Sequence, residues 1–249
     1  MGTYAGANAG QDGGNFSQEV ERVATKAMEA SAGAVRAAKE DGGVVPVFYL
    51  LTQLALAARR PDFLDALDQI GIHLSADATN LDLTVEVHRV LDDTFFAGGR
   101  RSDVGELAQL ALGETLAGYL RAQPRDMLGD NIGQLRRDLR GLGTQNAFGE
   151  VSQEFFGSFI SRLLNFNLSR IVRTGEGQSL IGDVGDLSRF NAELRQHSRQ
   201  RATIVRDFAG KWFAKTEFEV GIDPARTRRF VAYALKKVED EFRRGAKGG

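Results

Sequence analysis

The stretch NAFGEVSQEFFGSFISRLLNFNLSRIV, residues 146–172, carries apolar side chains around more than half of a helical circumference. At 100° per residue, one side of this helix collects Phe148, Val151, Phe155, Phe156, Phe159, Leu163 and Phe166. A surface helix is apolar along a single stripe, so this one is expected to be covered on several sides and to run through the centre of the fold. Gly157 in its interior costs about 1 kcal/mol in helix propensity. We therefore expect a neighbouring helix to cross closely at that point.

Helical periodicity extends outward from this stretch over most of the chain. The predicted helices are 17–39, 46–59, 62–70, 103–121, 128–140, 187–215 and 224–244. The fold class is therefore mainly α, a single globular domain of seven to nine helices whose last two helices form a basic pair.

Three helix ends carry capping signals. Asp103 and Glu106 have the spacing of a capping box, and Gly141 follows the helix 128–140 as a capping glycine. Asp223 precedes Pro224, which together mark the start of the last helix.

Residues 70–87 allow two interpretations. IGIHL (70–74) and LDLTVEV (81–87) alternate apolar and polar residues, which predicts a short β-hairpin closed by the loop SADATN. Leu83, Val87 and Leu91 nevertheless share one face of a helix, and that apolar face continues to Phe95. We favour a helix over about 80–97 and keep the hairpin as the alternative.

The chain divides by composition into five segments. They are a small, Gly-rich tail (1–16), an acidic helical core (17–173), a Gly-rich linker or loop (174–186), a basic helical subdomain (187–244) and a frayed end (245–249). Residues 187–249 carry fifteen Lys/Arg against eight Asp/Glu, although the whole chain has a formal charge of only −1. Such a split points to an anionic partner for the basic end, or to attraction between the two halves within one fold.

The most apolar run, VVPVFYLLTQLALAA (44–58), is too short for a membrane span and contains Pro46, Thr52 and Gln53. A span needs about twenty predominantly apolar residues, so we expect a buried helix and no membrane partner. Cysteine is absent and no cationic, apolar leader opens the sequence. A reducing, cytoplasmic location fits these features.

The helix 187–215 poses the sharpest question about function. Its predicted apolar stripe, which also contains His197 and Arg201, is formed by Phe190, Leu194, Ile204, Val205, Phe208 and Trp212. The opposite side carries a basic ridge of Arg195, Arg199 and Arg206. An arginine keeps its charge in a protein, so burying one unpaired costs several kcal/mol.

Three outcomes satisfy Arg201. Its stem alone is buried, or it pairs with a carboxylate of the acidic front, or it meets a ligand or second subunit in a pocket with His197 and Trp212. The first two outcomes are purely structural, and they are the explanations that we favour. Glu193 lies one turn before His197, but two ligands do not make a metal site, and we expect no metal and no cofactor.

No short motif indicates catalysis. The chain has no phosphate-binding loop of the GxxxxGK[ST] type, no HExxH, no GxSxG and only three histidines, so no catalytic residue is predicted. The 16 phenylalanines instead favour a non-enzymatic interaction or assembly subunit that binds a protein partner or a second copy. Its predicted contact residues are Arg195, Arg199, Arg201, Arg206, Arg226 and Arg229.

Two other classes of function remain open. Nucleic-acid binding would use the basic ridge together with the cations of the last helix. A helical enzyme or small-molecule carrier would use the pocket around His197 and Arg201.

Overall fold

A computed structural model describes residues 30–99, 101–124, 131–173 and 184–247. In these ranges the protein is all helical, without strands. The helices are α1 (30–41), α2 (Val44–Ala57), α3 (Phe63–Asp68), α4 (Asn80–Ala97), α5 (Asp103–Ala122), α6 (Ile132–Leu142), α7 (Gln145–Arg173), α8 (Val184–Glu219) and α9 (Pro224–Lys247). The mainly α class is confirmed. The predictions for 1–29, 125–130, 174–183 and 248–249 lie outside the described residues.

The helix favoured over about 80–97 is confirmed as α4, and the alternative hairpin at 70–87 is wrong. Thr79 caps α4 in a capping box, in which its side chain accepts from the Asp82 amide and the Asp82 carboxylate accepts from the Thr79 amide at 2.8 Å. The alternation in 81–87 misleads because Leu81 and Val85 are exposed. The buried residues are Leu83 and Val87, at helical spacing.

Two predicted caps are shifted and one is confirmed. α5 is capped by Ser102, whose hydroxyl accepts from the Gly105 amide at 3.1 Å, so Asp103 lies inside the helix. α6 continues through Gly141 and ends with Gly143 as its C-cap. Asp223 caps α9 as predicted, since its carboxylate accepts from the Arg226 amide at 2.7 Å.

The core is built around α2 and α7. α2 packs against α3, α4, α5, α6 and α9, while α7 packs against α5, α6 and α8. Phe48 of α2 joins the two sides of the core, with its ring centroid 5.4 Å from that of Phe156 on α7 and 5.1 Å from that of Phe230 on α9. The predicted covering of α7 on several sides is confirmed by buried Phe148, Val151, Phe155, Phe156, Phe159, Ile160, Leu163 and Leu164.

α7 and α8 approach each other closely enough to require glycine. A Cβ on Gly157 would lie 3.0 Å from the Cα of Arg199, and one on Gly210 would collide with the carbonyl oxygen of Gln145. The close crossing expected at Gly157 is therefore confirmed. Glycine is used here for space and not for its backbone freedom, because both residues are helical.

The basic helices α8 and α9 belong to the same core as the rest of the chain. Val205 and Phe213 of α8 and Phe230 and Leu235 of α9 join one hydrophobic cluster with residues of α1 to α7. No helix in the described ranges carries an apolar run long enough to cross a bilayer.

A buried carboxylate also fastens the last helix to the first. Glu239 of α9 accepts from the guanidinium of Arg36 on α1 at 2.9 Å and from that of Arg243 at 2.8 Å. The ammonium of Lys39 lies 3.9 Å away. Three cations thus surround one carboxylate, which offsets the cost of its burial.

Candidate functional site

α8 is rotated by about a quarter of a turn from its predicted orientation. The residues that it buries are Ser198, Ala202, Val205, Ala209 and Phe213, and this seam follows the crossing with α7. His197 is exposed, so its predicted place in the apolar stripe is corrected. Leu194, Ile204, Phe208 and Trp212 are only partly buried. Small residues set the seam because they let two helix backbones approach.

Arg201 is satisfied by the main chain. Its guanidinium donates to the carbonyl oxygen of Glu241 on α9 at 3.0 Å, and the side chain is half-buried. Of the three alternatives for Arg201, burial of the side-chain stem is the closest to what is observed. The guanidinium has a backbone carbonyl as its acceptor and not the carboxylate of the second alternative.

The basic ridge of α8 faces a groove between α5, α7 and α8, which we call the ionic groove. Its volume is about 940 Å³. Arg199 forms an ion pair with Glu154 at 2.5 Å, and Arg206 forms one with Glu150 at 2.6 Å. Arg195 has no hydrogen bond or ion pair within the described part of the chain. Two of the three ridge arginines therefore already have an internal counter-ion.

The α5 wall of the ionic groove contains Glu114 and Tyr119. Glu114 accepts from the Ser158 hydroxyl at 2.6 Å and from Arg162 at 2.9 Å. These hydrogen bonds, led by that of Ser158, lower the pKa of Glu114 below its ordinary value. Burial raises the pKa of Tyr119 to about 12, so its hydroxyl stays protonated and donates to the Asp138 carbonyl oxygen at 3.1 Å.

A second groove, of about 430 Å³, lies between α8 and α9. We call it the aromatic groove, and it is lined by Phe208, Trp212, Thr216, Val220, Arg226, Arg229, Phe230 and Tyr233. The ring of Trp212 stacks on Phe230 with 4.2 Å between centroids, and Phe208 meets Tyr233 edge-on at 5.1 Å. The groove is therefore a preformed aromatic surface whose rings hold one another in place.

Three predicted site residues meet in the aromatic groove, whereas His197 and Arg201 of the predicted pocket lie outside it. Trp212, Arg226 and Arg229 line it together. His197 precedes Trp212 by fifteen residues of α8, which corresponds to about 22 Å along the helix axis. The structure thus places Trp212 apart from His197, and also apart from Arg201 at its contact with Glu241.

The aromatic groove combines exposed apolar surface with free positive charge. Tyr233 is 48% exposed and Val220 58%, while Phe218, two residues before Val220 in the sequence, is 89% exposed. Arg226 pairs with Asp223, but Arg229 is exposed and has no ion pair within the described residues. An apolar patch bordered by an arginine without an ion pair is a typical binding surface.

Sequence reasoning missed Phe208, Phe230 and Tyr233 as groove residues because they complete a clean amphipathic pattern. The sequence pattern places Phe208 and Phe230 on apolar faces and indicates no role for Tyr233. The available signal was Tyr233, which lies three residues after Phe230 and widens the aromatic face of α9 beyond a single stripe.

Metal chemistry has no support in the described ranges, where no three His, Asp or Glu side chains come close enough to hold an ion. The fold and the two grooves define an all-helical protein with preformed surface clefts. No protein-family model, curated protein or solved structure matches the chain.

Proposed function

We propose that this protein is a non-enzymatic helical interaction subunit that binds an acidic, amphipathic segment of a protein partner in the aromatic groove. The observation that carries the proposal is the groove itself, where stacked Trp212 and half-exposed Tyr233 lie beside unpaired Arg229. Aromatic residues and arginine are the side chains that most often dominate binding energy at protein interfaces.

Shape and charge favour a helical occupant. A cleft between two helices suits an amphipathic helix laid along it, with apolar anchors at i, i+3 or i+4, and i+7. Arg229 and Lys236 are exposed, without ion pairs in the described chain, and Lys237 lies 5.3 Å from the Tyr233 ring. A partner with carboxylates on its polar face would complement them.

Nucleic-acid binding through the ridge Arg195, Arg199 and Arg206 is less well supported. Arg199 and Arg206 are held by Glu154 and Glu150, so a phosphate would have to displace a carboxylate at each. The carboxylates would also repel a polyanion. A pocket at His197 has no supporting contact.

The test is a selection from a displayed library of random peptides against the full-length protein. We expect enrichment of peptides that combine Asp and Glu with Leu, Phe or Trp at helical spacing. Binding of a selected peptide should change the fluorescence of Trp212, which is the only tryptophan.

Matched variants locate the binding site. Arg229→Glu should weaken a selected peptide at least about tenfold, because the charge at the rim of the groove is reversed. Arg228→Glu makes the same charge change at an exposed position outside the groove and should alter affinity less than about twofold. Enrichment of no acidic peptide, or equal losses in both variants, would contradict the proposal. Binding of a single-stranded oligonucleotide in place of peptides would support the nucleic-acid alternative.

A further inference from the structure

The ionic groove carries an uneven charge along its length. It is lined by four arginines and three glutamates. At one end Glu150 and Glu154 each pair with one arginine of α8. At the other end Glu114 alone faces two guanidiniums, because Arg162 donates to it at 2.9 Å and the charge of Arg195 acts on it as well. Among the lining residues that the structure describes, one positive charge therefore has no carboxylate of its own, and it belongs to Arg195.

A buried hydroxyl in the same wall lacks a partner. Thr115 lines the groove next to Glu114 and is 6% exposed, and its Oγ1 has no hydrogen bond. A buried hydroxyl without a partner is destabilising, and an acceptor that reached it would remove this cost. Ser161 is also buried and lines the groove on α7, about one turn after Ser158. Neither residue was singled out by sequence reasoning.

We propose that this end of the ionic groove is a binding site for a small polar molecule, whose carboxylate or phosphate group lies between Arg195 and Arg162. The Thr115 hydroxyl lies below the groove surface, so its side chain must rotate before it can act as a neutral donor to the same oxyanion. Paired guanidiniums with a hydroxyl are the donor set that such groups prefer. A volume of about 940 Å³ leaves room for the polar remainder of the molecule along the Arg199 and Arg206 ion pairs.

Glu114 acts in this proposal as an internal competitor. Its carboxylate already accepts from Arg162 and from the Ser158 hydroxyl. An incoming anion must share Arg162 with Glu114, and the negative charge of Glu114 repels it. The site should therefore bind a simple anion weakly and should bind it better when the negative charge of Glu114 is removed.

The experiment titrates the full chain with sodium phosphate and, separately, with sodium acetate at constant ionic strength. The readout is the Nε–Hε NMR signals of the arginine side chains. We expect saturable shifts of Arg195 and Arg162 with a Kd in the millimolar range, about 1–10 mM. A response to phosphate alone identifies phosphate as the natural group, and a response to acetate alone identifies a carboxylate.

Four variants separate a built site from general charge effects. Arg195→Gln should weaken binding at least about tenfold, and Thr115→Val, which keeps the side-chain shape, should weaken it about three- to tenfold. Glu114→Gln should tighten binding about tenfold. Arg199→Gln removes an equal charge one turn along α8 and should change the Kd less than about twofold.

Two results would overturn the proposal. One is the absence of a saturable shift in both the wild-type protein and Glu114→Gln. The other is an equal loss in Arg195→Gln and Arg199→Gln, which would mean an adventitious ion only. Neither result bears on the aromatic groove, because the peptide selection involves different residues.

Discussion

Glu86 shows how one carboxylate positions an irregular segment at the residue scale. It accepts from Nε of Arg89 at 3.0 Å and from the backbone N–H of His73 at 2.8 Å, which ties the loop after α3 to α4. The hydrogen bond from Arg89 is the main cause, with that from His73, of a pKa lowered from 4.5 to about 2. Glu86 therefore stays ionised in the folded protein at pH values where the unfolded chain takes up a proton.

The first prediction concerns acid unfolding. Because the folded pKa is depressed, the contribution of Glu86 is present above pH 4.5 and is lost as the pH falls from about 4.5 to about 2. Glu86→Gln should lower the free energy of unfolding at pH 7. The difference between wild type and variant should shrink through that window, measured by urea unfolding at several pH values. A difference that is independent of pH would contradict the assigned hydrogen bonds.

The crossing of α7 and α8 is the critical contact at the element scale. Backbone meets backbone at Gly157 and Gly210, and the seam of α8 is completed by small Ser198, Ala202 and Ala209. Close contact along two long helices increases dispersion contacts at the crossing, and it leaves no volume for an added methyl group.

The second prediction compares two helical glycines. Gly210→Ala should destabilise the protein by about 1–3 kcal/mol, because its Cβ meets the Gln145 carbonyl oxygen. Gly118→Ala, in α5, meets nothing within 4 Å and should stabilise the protein by about 0.5–1 kcal/mol through helix propensity alone. Chemical denaturation measures both. Two changes of the same sign would show that space at the crossing is not the determining factor.

Local sequence patterns predict where the helices lie along the chain more readily than they predict which face of each helix is buried. α9 and the central part of α7 were predictable because large apolar residues mark their buried faces. The rotation of α8 was not, since Ser198 and Ala202 are buried for their small size and give no apolar signal. The alternative hairpin at 70–87 fails for a different reason, because the Thr79–Asp82 capping box, and not the apolar alternation, determines where α4 begins.

Both grooves depend on contacts between segments that are distant in the sequence. Arg199 meets Glu154 across 45 positions, and Trp212 meets Phe230 across a turn between helices. The sequence does not distinguish the three ridge arginines of α8 from one another. In the described chain, however, Arg195 is the one ridge residue without an ion pair. The structure therefore divides one predicted basic ridge into two internal ion pairs and one free cation.

At the scale of the whole molecule, the acidic and basic parts of the sequence are joined by ion pairs. Arg59 at the end of α2 lies 2.6 Å from Glu217 of α8, and α7 and α8 share two further pairs. Together with the common hydrophobic cluster, these contacts predict that α8 and α9 unfold together with the rest of the described chain.

The third prediction tests that cooperativity. Trp212 contacts both Phe230 and Phe48, so its emission reports on the docking of α8 and α9 against α2. Its fluorescence and the far-ultraviolet helical signal should change together in a single urea transition with equal midpoints. An earlier midpoint for fluorescence would instead show that α8 and α9 leave a core that remains folded.

The Glu239 cluster has a mechanical consequence. Since α1 and α9 are fastened to each other through Arg36 and Glu239, the described chain ends beside the helix with which it begins. Tension applied between those two ends would separate this ion pair before it reached α2 or α7. The first event under load would be the peeling away of the outermost helices.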